Sequence, residues 1–384
     1  MTNHGKPEKK QVYDRGAGRF FRPAYFKSQA RRWLRASFWH RLLAGFMALI
    51  FLSITFMYGI ARYYIAKHAH EPFRLSATFI PDYAEYFGLD AKDTLHAMLD
   101  DLGLRDVRFV SYWDKIEKTP GTYDFSELDW EFAMAKQYGA TVSLTIGLRQ
   151  PRWPECHMPD WAMTQPKSQW EPELKTFMTA VINRYKDNSQ LESYQLENEY
   201  FLTVFGECKD FDRNRLVSEF NLVKQLDPGH KLVISMSNNA IGTPIGQPVP
   251  DEWAISVYKR VWDKTVTKRY FEYPIPAWYY AFRAGFTEIT RGHNSFIHEL
   301  QTEAWPAADQ GIKDATIAEQ NKSLDAARLE DRIKYGEATG MREVSLWGVE
   351  WWYWRKTIKN DPSLWNVGKE AVQRTKDENK RLGY

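Results

Sequence analysis

From residue 73 to residue 347 the chain alternates short apolar, strand-like runs with amphipathic, helix-like segments, and it does so eight times over. The runs fall at 73–80, 107–113, 142–147, 194–199, 232–237, 254–258, 295–299 and 344–347. A strand followed by a crossover helix can only return to the same sheet in parallel, so this order predicts a parallel sheet covered by helices. Eight such units predict a closed (β/α)8 TIM barrel. A doubly wound open sheet is the alternative. It has fewer strands at this length, and no Gly-rich phosphate loop follows the first run.

The helices between the runs carry their own signals. Asp90 sits where an N-cap belongs, with Asp93 three positions on, and Leu95, Met98, Leu99 and Leu102 share one face ahead of Gly103. Leu174, Phe177, Met178, Val181, Ile182 and Tyr185 keep helical spacing for about three turns, the clearest helix in the chain.

Before the alternation begins, residues 42–61 contain no charged side chain. A helix of that length spans roughly 30 Å, the thickness of bilayer hydrocarbon. Residues 1–41 hold eleven Lys or Arg against Glu8 and Asp14, a balance of +9, so the rest of a chain with net charge +3 carries 3 − 9 = −6. Positive charge ahead of an apolar span keeps the N-terminus in the cytoplasm. The expected organisation is a basic cytoplasmic tail (1–41), a transmembrane signal anchor (42–61), a linker (62–72) and a barrel (73–384) outside. A cleaved signal peptide is the rival reading, but the apolar region exceeds the usual 7–15 residues and no small-x-small site follows it. The expected address is the plasma (inner) membrane, single-pass, with the barrel extracellular or periplasmic. The bilayer is thus one partner, through 42–61, and no nucleic acid is expected.

In a parallel barrel, function collects at the C-terminal ends of the strands. Those ends carry Trp113 and Asp114, Arg149 and Gln150, Asn198 and Glu199, Asn238 and Asn239, Tyr258, Glu299, and Trp347. In the fourth run, period-two alternation puts Gln195, Glu197 and Glu199 on one side, with Glu199 at the rim and Glu197 one layer deeper. Glu299 ends the seventh run. Two carboxyl groups flanking one bond are the requirement for retaining glycoside cleavage, one as nucleophile and one as acid/base. With 16 Trp, 21 Tyr and 22 Phe the chain is also rich in the flat rings that sugar clefts use as platforms.

The Asn198-Glu199 pair and Glu299 resemble the signature of clan A glycoside hydrolases. Residues 107–113, Ile116-Glu117, Pro120-Gly121, Tyr123-Asp124-Phe125 and Leu128-Asp129 resemble the second-strand region of family forty-two β-galactosidases and their cellulase-like relatives. The resemblance implies that Glu199 is the acid/base and Glu299 the nucleophile. It further implies that Asn198 meets the sugar 2-hydroxyl, that Tyr258 bonds the nucleophile with Arg108 beneath it, and that Trp347 is the sugar platform. Trp113 and Asn239 complete the expected substrate-binding set. Glu303, four residues beyond Glu299, is a second nucleophile candidate, lying out in the loop rather than directly after the apolar run. His298 should point away from Glu299.

Cys156 and Cys208 follow the third and fourth runs and are expected to form a disulfide outside the cytoplasm. His157 is the only nitrogen ligand near them and there is no CxxC or HExxH spacing, so neither metal nor cofactor is expected. The expected activity is hydrolysis of β-linked sugars in an oligo- or polysaccharide by double displacement. The alternatives are transglycosylation on the same fold, or a non-catalytic sugar-binding envelope protein on a degenerate barrel.

Overall fold

The computed structural model describes Lys27 and residues 38–237, 244–307 and 310–384. Asn238 and Asn239, and nearly all of the basic tail, lie outside these residues. Strands β1 (Arg74–Thr78), β2 (Asp106–Phe109), β3 (Thr141–Ile146), β4 (Leu191–Leu196), β5 (Lys231–Met236) and β6 (Glu252–Val257) are joined by two short ones, β7 (Arg260–Trp262) and β8 (Tyr270–Glu272). Then come β9 (Asn294–Gln301) and β10 (Glu343–Trp347). Eight of the ten close a barrel in the order β1-β10-β9-β6-β5-β4-β3-β2, every neighbouring pair parallel, while β7 and β8 form a small antiparallel ribbon. The alternation is therefore a (β/α)8 barrel.

Local chemistry explains the helices. Asp90 caps the helix Ala91–Leu99 by accepting from the Asp93 amide at 2.9 Å. The helix Lys167–Tyr185 buries the six apolar residues its spacing marks, Leu174 through Tyr185, together with Trp170. At the N-terminal end of the barrel, Arg74 of β1 pairs with Asp106 of β2, Glu192 of β4 and Glu343 of β10, so one guanidinium ties four strands together. Burial beside those acids lifts the Glu343 carboxyl to about 7.

Several strand ends differ from expectation. β2 stops at Phe109 and the chain turns into the short helix Trp113–Ile116. β4 stops at Leu196, and both Glu197 (φ 54°) and Glu199 (φ 43°) are left-handed rather than extended. Such backbone costs roughly 1–3 kcal/mol per residue and persists where surroundings over-determine it, commonly at functional sites. Between β8 and β9 the chain is helical over Ala277–Arg291.

The chain divides into residues up to Met57 and a second unit, Tyr58–Tyr384. The helix Phe38–His68 crosses that boundary. It is the one helix among the described residues long and apolar enough to span a membrane, with mean hydropathy 2.1 over a window that is 0% buried in protein. The segment 62–72, expected as a linker, is helical through His68 and packed on the barrel. Tyr64 donates to Asn294 at 3.3 Å, Lys67 and His68 pair with Glu288, and Gly285 leaves no room beside Tyr64, since a Cβ there would fall 2.9 Å away.

Candidate active site

Glu299 stands near the C-terminal end of β9, 3% exposed. Arg108 of β2 donates to its Oε1 at 2.8 Å, and the Tyr258 hydroxyl, just beyond β6, donates to its Oε2 at 2.7 Å. Arg108 also donates to Thr78 of β1 (2.8 Å) and Gln195 of β4 (3.0 Å), so its position is fixed from three further strands. His298 lies 3.3 Å from the same guanidinium and does not point away from Glu299's surroundings as alternation would have it. The reason is a bulge: Ile255 and Ser256 of β6 pair with Ile297 and Glu299, skipping a residue and turning both side chains inward. Burial and the Arg108 charge hold the His298 imidazole well below its ordinary range, hence neutral.

Glu199 follows β4, 5% exposed, and among the described residues its Oε1 lies within hydrogen-bond distance and angle of no donor. Burial first, then the negative charges of Glu299 and Glu155, push its carboxyl up to about 8. Its backbone amide donates to Ser235 Oγ at 2.8 Å, which holds the left-handed turn in place. Asn198 has its amide orientation set on both sides. Oδ1 accepts from Gln195 (2.9 Å) and Ser235 (3.3 Å), while Nδ2 donates to Glu155 Oε2 (3.1 Å).

Glu197 lies below the rim as expected but is not strand-positioned. It accepts from the Leu148 and Arg149 amides (2.8 and 3.0 Å) and from Arg215 (2.7 Å), clamping the loop after β3. Gly147 (φ 106°) is required there, because a Cβ would come within 2.7 Å of the Glu197 carboxylate.

A cavity of about 350 Å³ brings together Glu199, Glu299, Tyr258, Trp347, Arg152 and Glu155. A second hollow of about 910 Å³ adjoins it, lined by rings such as Tyr83, Tyr86, Tyr112 and Trp262. Trp113 belongs to neither, which corrects its place among the expected substrate contacts. It is fully buried and donates from its indole to Glu117 at 2.6 Å, because the turn into a helix after Phe109 swings it into the core. Glu303 reaches the cavity wall, but its carboxylate is paired with Arg152 at 3.0 Å rather than held by Arg108 and Tyr258.

Glu155 is the site residue the sequence pattern does not reveal. It is 4% exposed, left-handed (φ 69°), and faces Arg149 at 3.3 Å. Burial pushes its carboxyl up to about 7 against the pull of Arg149. Its neighbour Cys156 is disulfide-bonded to Cys208, which joins the loops after β3 and β4. Gly206 packs against Glu155 so closely that a Cβ would lie 2.8 Å away. Trp305, 4.8 Å from the Tyr258 ring, also lines the cavity unforeseen.

No protein-family model and no curated protein matches the sequence. Solved structures do. An endo-β-1,4-xylanase of glycoside hydrolase family 10 from Gloeophyllum trabeum aligns over 79% of this chain and 97% of its own, with TM-score 0.53 and 14% identity. The exo-β-1,4-mannosidase Op5Man5 from Opitutaceae bacterium strain TAV5 aligns over 81% of this chain with TM-score 0.51 and 14% identity, and this chain spans 60% of that protein's length. A GH5_18 protein from Streptomyces cattleya, solved with GlcNAc, aligns over 79% and 80% with TM-score 0.51 and 12% identity. The likeness is one of fold: a (β/α)8 barrel of the kind found in clan A glycoside hydrolases.

Proposed function

We propose that the chain is a membrane-anchored retaining glycoside hydrolase that cleaves β-linked sugars. The observation that carries this reading is the contrast between two carboxyl groups in one cavity. Both oxygens of Glu299 accept hydrogen bonds, from Arg108 and Tyr258, whereas Glu199 is buried, meets no such cationic donor among the described residues and keeps its proton to about pH 8. A charged nucleophile beside a protonated acid is the division of labour that double displacement needs.

In the first step a Glu299 oxygen attacks the anomeric carbon as the glycosidic C–O bond breaks, and Glu199 gives its proton to the leaving oxygen. Glu199, now a carboxylate, removes a proton from water. That water displaces Glu299 and restores both groups. Asn198, its amide orientation set by Gln195, Ser235 and Glu155, has a second N–H to offer the sugar 2-hydroxyl. Fold likeness to a mannosidase and a xylanase supports a saccharide substrate, and the sugar and linkage are left open.

The helix Phe38–His68 and the eleven basic residues ahead of 42–61 support an anchor with the N-terminus in the cytoplasm and the barrel outside. The Cys156–Cys208 disulfide fits that oxidising side. The test is turnover of a panel of aryl β-glycosides by the full-length protein in detergent. Glu299→Gln should abolish it. Binding without turnover on every sugar would instead mark a lectin-like barrel.

A further inference from the structure

Arg152 and Glu303 line both hollows at the barrel mouth, as do Trp153, Val261 and Trp305. Residues that face two spaces are the wall between them. Arg152 donates to both oxygens of Glu303, at 3.0 and 3.4 Å. Its guanidinium lies 3.3 Å from the Tyr83 ring centre and 4.5 Å from that of Trp347, both rings at least nine-tenths buried. Such stacking holds a guanidinium most firmly where the rings are shielded from water. Glu303 is seated just as tightly, since a Cβ at Gly348 would lie 2.5 Å from its own. Arg152 even holds a left-handed backbone (φ 80°), so the surroundings fix its position.

The barrel order says which side this wall closes. β4, which delivers Glu199, and β10, which ends in Trp347, are four places apart in the ring of eight and so face each other across the mouth. The leaving oxygen must lie at Glu199, where Leu202, Val204 and Phe205 line the cavity. A sugar ring with its anomeric carbon at Glu299 therefore extends its far end toward Trp347, Arg152 and Glu303. At about 350 Å³ the cavity is at the lower end of the usual 300–1,000 Å³ for small-ligand sites.

We propose that the Arg152–Glu303 pair closes the cavity beyond the reacting sugar, so that this enzyme removes single sugars from the non-reducing ends of chains, with the pair recognising the terminal sugar's hydroxyls. This rests on the glycosidase reading and adds the substrate class: a chain end rather than a chain interior. A guanidinium and a carboxylate side by side offer donors and acceptors to neighbouring hydroxyls. In this reading the larger aromatic hollow lies on the far side of the pair.

The test uses full-length enzyme in detergent and β-linked tetrasaccharides, labelled at the reducing end, of whichever sugar its aryl β-glycoside assay selects. The expected first products are free monosaccharide and labelled trisaccharide, shortening one unit at a time, and a blocked non-reducing terminal hydroxyl should stop the reaction. Early release of labelled mono- or disaccharide, or cutting of the blocked substrate, overturns the inference while leaving the glycosidase reading intact. No turnover of any glycoside overturns both. The folded double variant Arg152→Gly, Glu303→Ala should begin to release units of two or more sugars. If it folds, as its circular dichroism would show, and still releases single sugars only, the wall does not set the mode of attack.

Discussion

Arg108 Nη2 and Glu299 Oε1 are 2.8 Å apart, and both side chains are almost fully buried, at 1% and 4% exposure. Removing one member of such a pair leaves a buried, uncompensated charge, at about 3–5 kcal/mol. Arg108→Met should therefore lower stability to urea by about that amount and abolish activity. Glu299→Gln keeps a side chain of the same shape but leaves Arg108 as the uncompensated buried charge, so it should abolish activity at a comparable cost in stability. Destabilisation well below that range in both variants would contradict a buried ion pair at this position.

The pH profile follows from Glu199. Its carboxyl is raised to about 8, so the acid form prevails below that value and is lost above it. The rate kcat/KM should stay high below pH 8 and fall about tenfold per pH unit above it. Glu199→Gln should cost about 10²–10⁴-fold, more for poor leaving groups than for activated aryl ones.

Glu155 tunes that limb. Near pH 8 it is charged, because its own carboxyl titrates at about 7, and a negative neighbour raises Glu199. Glu299 adds to the same effect and Arg149 opposes it. Glu155→Gln should shift the alkaline limb to lower pH with little change in KM, because the Gln carbonyl oxygen can still accept from Asn198. A change in kcat with an unmoved limb would assign Glu155 a purely structural role.

The disulfide closes a loop across a sequence separation of 52 residues. In the chain-entropy account this is worth about 4 kcal/mol, so Cys156→Ser should melt the barrel earlier and loosen the Glu155 loop. Thermal unfolding with and without reductant measures it, and no difference would show that the link contributes nothing.

For the anchor, a C-terminal tag on the full chain should be reached by antibody from outside intact cells, or from outside spheroplasts where the barrel is periplasmic, and an N-terminal tag only after the inner membrane is permeabilised. The reverse pattern would place the barrel in the cytoplasm.

The barrel is legible in the sequence because its signals are local and repeated: each β/α unit carries its own apolar period and cap, as in Asp90 with Asp93. Glu199, Glu299 and Tyr258 stand out in the sequence because they close apolar runs, whereas Arg108 is suggested by the family resemblance alone. What escapes is set by non-local contact. Glu155 lies in a loop whose path depends on Cys208 and Gly206, some fifty residues on. The bulge that turns His298 inward depends on β6, and the early end of β2 buries Trp113. Arg152 and Glu303, 151 positions apart, meet only because the loops after β3 and β9 share one rim.

The most direct measurement traps the covalent step. Full-length enzyme is incubated with a 2-deoxy-2-fluoro β-glycoside of a sugar it turns over and bearing an activated leaving group, then digested and sequenced by mass spectrometry. The sugar should be found esterified to Glu299, with inactivation proportional to labelling. Labelling of Glu303 or Glu155 instead, or continued turnover by Glu299→Gln, would contradict the account.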